Sequence, residues 1–131
     1  MLQRIQTLYT LAYIAITILV IVRFPIPLDE NPERIYGVLS NMPYLFVLLA
    51  SVSLMLFSKR SFQLVLNRLI LVTSIGYEVF ELVDVFEQFD SLKQLILIHY
   101  SLVLLSCIFL LLANRYIKKD EALIRSVDRL R

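Results

Sequence analysis

The chain has 131 residues, 59% of them hydrophobic, against roughly 45–50% in soluble globular domains, and a formal net charge of +2. So short a chain could not bury that much apolar surface by folding on itself, which argues against water as its main solvent. Its basic residues flank apolar segments instead of forming a stripe interleaved with aromatics, which argues against a nucleic-acid-binding role.

In chain order, the stretches 5–22, 35–58 and 94–114 carry no charged residue. Each is close to or above the roughly 20 residues that an α-helix needs to cross about 30 Å of hydrocarbon. A fourth segment is uncharged from Leu69 to Tyr77 and then meets Glu78, Glu81 and Asp84 among apolar neighbours. It is the weakest span, yet a helix is expected there. An odd number of crossings would put Lys59, Arg60 and Arg68 on the opposite side from the basic C-terminal cluster. The expected fold is all-α: a transmembrane four-helix bundle over residues 1–114, with spans at about 5–23, 36–57, 66–85 and 94–113. A cytoplasmic amphipathic helix follows over 115–131.

Charge sets the expected orientation. With four spans, Arg4, Lys59, Arg60, Arg68, Arg115, Lys118, Lys119, Arg125, Arg129 and Arg131 fall on one side, ten of the thirteen basic residues. The positive-inside rule makes that side cytoplasmic, with both termini there and the other face outside the inner membrane. The first helix reads as an uncleaved anchor, because no small-x-small cleavage pattern follows it and Arg23-Phe24-Pro25 reads as a helix end. The outer loop 25–34 holds three prolines and no glycine, so it should be short and stiff.

Lipid tails are as apolar as leucine, so small and polar side chains at helical spacing mark the expected contact faces. These are Gln6, Thr10, Tyr13 and Thr17 on the first helix and Ala50, Ser51 and Ser53 on the second. The third offers Asn67, Ser74, Glu78 and Glu81, and the fourth His99, Ser106 and Ala113. Cys107, the single cysteine, reads as a small buried hydrophobe.

The sharpest candidates are Glu78, Glu81 and His99, because ionisable groups at membrane depth are costly and default to functional hypotheses. If the turn between the third and fourth helices centres near Asp90, Glu81 and His99 lie equally far from it and face each other. A carboxylate beside an imidazole favours the charged imidazole, and such a pair can relay protons. The plainer reading is a structural ion pair, or carboxylates reaching the outer surface. A metal site ranks lower, since one histidine leaves only carboxylates to complete the shell. The acids Glu78, Glu81, Asp84, Glu87 and Asp90 step by three and drift about 60° per step, so they form no single acidic face.

The tail places Ile117, Leu123, Ile124, Val127 and Leu130 at roughly helical spacing among Arg115, Lys118, Lys119, Arg125, Arg129 and Arg131. Its basic residues suit anionic lipid, and its apolar face suits the interface or a protein partner.

Two terminal stretches carry a family resemblance: MLQRIQTLY over residues 1–9 and KKDEALIRSVDRLR over residues 118–131. With four apolar segments between them, the chain resembles an uncharacterised bacterial family, domain of unknown function 4293. That resemblance implies a four-helix integral membrane protein with no assigned activity, cofactor or catalytic residue. The density of acids in the third helix departs from it.

The expected function is that of a non-enzymatic subunit or assembly factor, contacting the lipid bilayer and a membrane-protein partner or a second copy of itself. The alternative is a small transporter or proton conductor using Glu78, Glu81 and His99. An enzyme is disfavoured because no spacing links a nucleophile, a base and an orienting group. No glycine-rich phosphate loop occurs, and no cofactor is expected.

Overall fold

The computed structural model describes the backbone of residues 2–24, 41–85 and 89–128, and the side chains of 5–24, 41–56, 58–82, 94 and 96–126. All regular structure among these residues is helical, in four α-helices: α1 Leu2–Arg23, α2 Met42–Met55, α3 Arg60–Val85 and α4 Phe89–Asp128. The outer loop at 25–34 and the acids Glu87 and Asp90 lie outside the residues whose side chains are described, as do Arg4, Asp84, Lys93, Arg129 and Arg131.

Local sequence sets the boundaries. Pro25 disfavours a helical Phe24, and α1 stops at Arg23 with the Phe24 amide still donating to Val20 at 2.9 Å. Pro43 sits in the first turn of α2, where its missing N–H is harmless. The helix is 14 residues long, about 21 Å, and residues 36–40 of the expected span 36–57 lie outside the described residues. One turn of 3-10 helix, Leu56–Ser58, tightens its end before Lys59 turns the chain. The third helix runs 26 residues and starts six positions before the expected 66. No proline falls between Lys59 and Val85, and the helix runs unbroken through Gly76, where an added Cβ would meet no neighbouring helix within 4 Å. The fourth helix runs 40 residues without proline or glycine, about 60 Å, straight through residues 114 and 115. The amphipathic tail is therefore a continuation of α4 as far as it is described.

Each helix packs on its neighbour in sequence, and α1 packs most extensively on α4, which closes the ring. Contacts fix the antiparallel registers. Tyr9 stacks on Tyr116 at 5.4 Å while Phe24 meets His99 at 5.2 Å, so α1 and α4 run opposite ways. Arg60 meets Asp120 at one end of the α3–α4 pair and Glu78 meets His99 at the other. Tyr13, Phe46, Ala50, Ile70, Tyr77 and Leu110 form the apolar centre.

The distribution around that centre is inverted relative to a water-soluble protein. Gln6, Thr10, Thr17, Ser53, Gln63, Asn67, Ser74, Ser106 and Asn114 are buried. Meanwhile Leu8, Val22, Leu48, Met55, Phe62, Val72, Leu97 and Leu104 are all more than half exposed. The expected contact faces point inward: Gln6, Thr10, Tyr13 and Thr17 on α1, Ala50 and Ser53 on α2, Asn67 and Ser74 on α3, Ser106 and Ala113 on α4. Ser53 donates to Asn67 Oδ1 at 2.5 Å, and Thr10 and Thr17 return their hydroxyls to carbonyls four residues back.

Two helices are long and apolar enough to cross a membrane by length and composition, over Ile5–Arg23 and Ile96–Ser126. The apolar stretch of α2 is shorter, and α3 carries charge toward both ends.

Candidate functional site

The site lies at the end of the helices where α3 and α4 approach their connection. One turn of α3 presents Tyr77, Glu78 and Glu81, because residues three and four apart share a helix face. Opposite them α4 presents His99. Its Nε2 lies 3.2 Å from Glu78 Oε2 and 3.9 Å from Glu81 Oε2. In the tautomer that carries its proton on Nε2, the imidazole donates to the Glu78 carboxylate. The Tyr77 hydroxyl donates to Glu81 Oε1 and holds that carboxylate in place. Phe24 and Tyr100 both meet the imidazole edge-on, with centroids at 5.2 Å, which fixes the ring plane.

All three ionisable side chains are largely withdrawn from solvent, at 16% exposure for Glu78, 26% for Glu81 and 19% for His99. One ligand-bearing atom from each lies within 4.8 Å of the others. They open onto a cavity of about 410 Å³ bounded by all four helices, with Tyr13 and Thr17 from α1, Tyr44 and Phe46 from α2, Ser74 from α3, and Val103 and Ser106 from α4. Its size and its mostly apolar wall with a few polar groups match small-ligand sites.

Glu78, not Glu81, is the nearer partner of His99, at 3.2 Å against 3.9 Å, and Asp90, expected at the turn, already lies within α4.

A second ionic contact joins the opposite end of the helices, where Arg60 Nη2 lies 3.1 Å from Asp120 Oδ2 and ties the start of α3 to the extension of α4. Near it are buried amides that sequence reasoning passed over, Gln63 at 1% exposure and Asn114 at 7%. The available signal was their place one helical turn from Asn67 and one position from Ala113. Asn67 and Asn114 each lie seven residues from the Ser74–Cys107 contact, in opposite chain directions, so the antiparallel register puts them at one level. On the extension, Arg115, Lys118 and Lys119 are exposed, and Arg125 is paired with Glu121 at 2.6 Å.

Neither the curated proteins nor the solved structures provide a match. A family model described as a domain of unknown function (DUF4293) matches residues 33–130, covering α2, α3 and α4 and leaving residues 1–9 outside. With three-quarters of its length under that model, the chain belongs to the DUF4293 family.

Proposed function

We propose that this protein is a four-span inner-membrane protein with both termini in the cytoplasm, and that it works as a non-enzymatic interaction subunit or assembly factor. The observation that carries the reading is the inverted distribution of polarity, with buried amides and hydroxyls inside and large aliphatic side chains outside. Water would leave that aliphatic surface unpaid for, whereas lipid makes it the ordinary exterior.

The same inversion weighs against a soluble core: only 22% of the apolar window of α1 and 17% of that of α4 is buried against the rest of the chain. The basic residues at the Arg60 end and on the extension of α4 make that end cytoplasmic under the positive-inside rule. There the exposed Arg115, Lys118 and Lys119, together with Arg125, face anionic headgroups or an acidic partner surface. Arg129 and Arg131 belong to the same proposed contact through sequence alone.

Affinity purification of the tagged protein from its own membrane in mild detergent, with and without residues 115–131, tests the subunit reading. A defined partner lost on deletion supports it, and recovery as an isolated monomer in both samples refutes it.

A second reading, a proton or ion conductor, is favoured by Glu78, Glu81 and His99 meeting at a cavity bounded by four helices. Flux through reconstituted liposomes under a pH gradient tests it. Flux that survives Glu81→Gln and His99→Ala together removes that mechanism.

A further inference from the structure

We infer that Glu78, Glu81 and His99 form a binding site for a first-row divalent transition-metal ion, with Zn²⁺ the fitting probe. The inference goes beyond the proposed function, since it holds whether or not the helices conduct ions or bind a partner.

Geometry is the first reason. Metal bonds of about 2.0–2.2 Å in a tetrahedral shell hold ligand atoms about 3.4 Å apart. His99 Nε2 and Glu78 Oε2 stand at 3.2 Å, His99 Nε2 and Glu81 Oε2 at 3.9 Å, and all three ligand atoms fall within 4.8 Å of each other. Closing the remaining difference requires the glutamate side chains to turn about their torsions. Three protein ligands from two packed helices leave a fourth position, and the cavity of about 410 Å³ supplies room for water there.

Charge is the second. Two carboxylates and one imidazole leave a net negative charge even with the imidazole protonated, in a site less than 30% exposed at each member. Gathering charge of one sign is costly in a desolvated setting. A dication bound to two carboxylates and a neutral imidazole leaves none.

Ligand type is the third. Imidazole nitrogen suits Zn²⁺ and its neighbours, while all-oxygen shells of six or more ligands suit Ca²⁺ and Mg²⁺. The support shell is present too: Tyr77 donates to Glu81, while Phe24 and Tyr100 hold the imidazole plane. Sequence reasoning ranked a metal low because the chain has a single histidine. Three gathered ligands with an open position answer that objection.

The test uses the full-length protein in nanodiscs, with any affinity tag removed and chelator-treated, titrated with Zn²⁺ against a chromogenic chelator. The expected result is about one ion per chain, undisplaced by millimolar Mg²⁺ or Ca²⁺. His99→Gln and Glu78→Gln, each checked for retained helicity, should weaken binding by roughly 100-fold, and Tyr77→Phe by roughly 10-fold. Should either ligand variant fail to fold, X-ray absorption of the Zn²⁺-loaded wild type reads the shell directly. One nitrogen with oxygen donors supports the site. No binding by folded wild type, binding unchanged in His99→Gln or Glu78→Gln, or a sulfur ligand from Cys107 overturns it.

Discussion

Replacing Leu104 by lysine separates a membrane exterior from an aqueous one by magnitude. Leu104 is 66% exposed on the outer face of α4, with Lys93 and Arg115 each eleven residues away along the chain. At 1.5 Å per residue those charges stand about 16 Å from it on either side, so on the proposed four-span reading Leu104 falls at the centre of about 30 Å of hydrocarbon. A central lysine costs about 2.5–3.5 kcal/mol and the lost leucine about 0.3–0.6 kcal/mol more, roughly 3–4 kcal/mol together. At 1.4 kcal/mol per tenfold, the ratio of inserted to uninserted α4 falls by more than about 100-fold. Leu111, 53% exposed and four residues from Arg115, is a depth control: its lysine reaches the interface and costs about 1 kcal/mol or less. Leu123, 48% exposed on the extension, should tolerate lysine within about 0.5 kcal/mol. Glycosylation mapping of α4 insertion reads the three ratios. On a soluble protein all three are ordinary surface changes within about 0.5 kcal/mol of neutral, and equal effects at 104 and 123 would refute the membrane reading.

Three further outcomes concern packing. Ile70→Ala removes a fully buried side chain from the apolar centre and should cost about 2–5 kcal/mol, read by thermal unfolding in nanodiscs; a cost below about 1 kcal/mol would mean that this centre is not closely packed. A double-mutant cycle on Ser53→Ala and Asn67→Ala should return a coupling of about 0.6 kcal/mol and no more than about 1.7 kcal/mol, and zero coupling would deny the 2.5 Å hydrogen bond. The cycle on Arg60→Ala and Asp120→Ala should give about 0.5–1 kcal/mol, reduced by salt if the pair sits at the aqueous end that the proposed topology assigns it; insensitivity to salt would count against that assignment.

The inward faces were the most legible part of the sequence. On the proposed membrane reading the scarce polar residues face one another, and Gln6, Thr10, Ser53, Asn67, Ser74 and Ser106, marked by spacing alone, are all buried. The gathering of Glu78, Glu81 and His99 followed from the same constraint. Their relative order did not, because it depends on the register between α3 and α4, and an error of one turn exchanges Glu81 for Glu78. Helix ends were less legible for a related reason. Hydropathy marks where lipid begins, whereas hydrogen bonding lets α3 start at Arg60 and α4 run on to Asp128 through charged residues. The Arg60–Asp120 tie needed the register of two long helices, which no local pattern carries.

The most direct measurement of the central claim is single-cysteine accessibility in intact cells, in a Cys107→Ala background, with a membrane-impermeant maleimide. Four spans with cytoplasmic termini predict labelling of Gln94→Cys in intact cells, and of Ser58→Cys and Ser126→Cys only after lysis. Labelling of all three alike in intact cells, or recovery of the chain in the soluble fraction, would contradict the account.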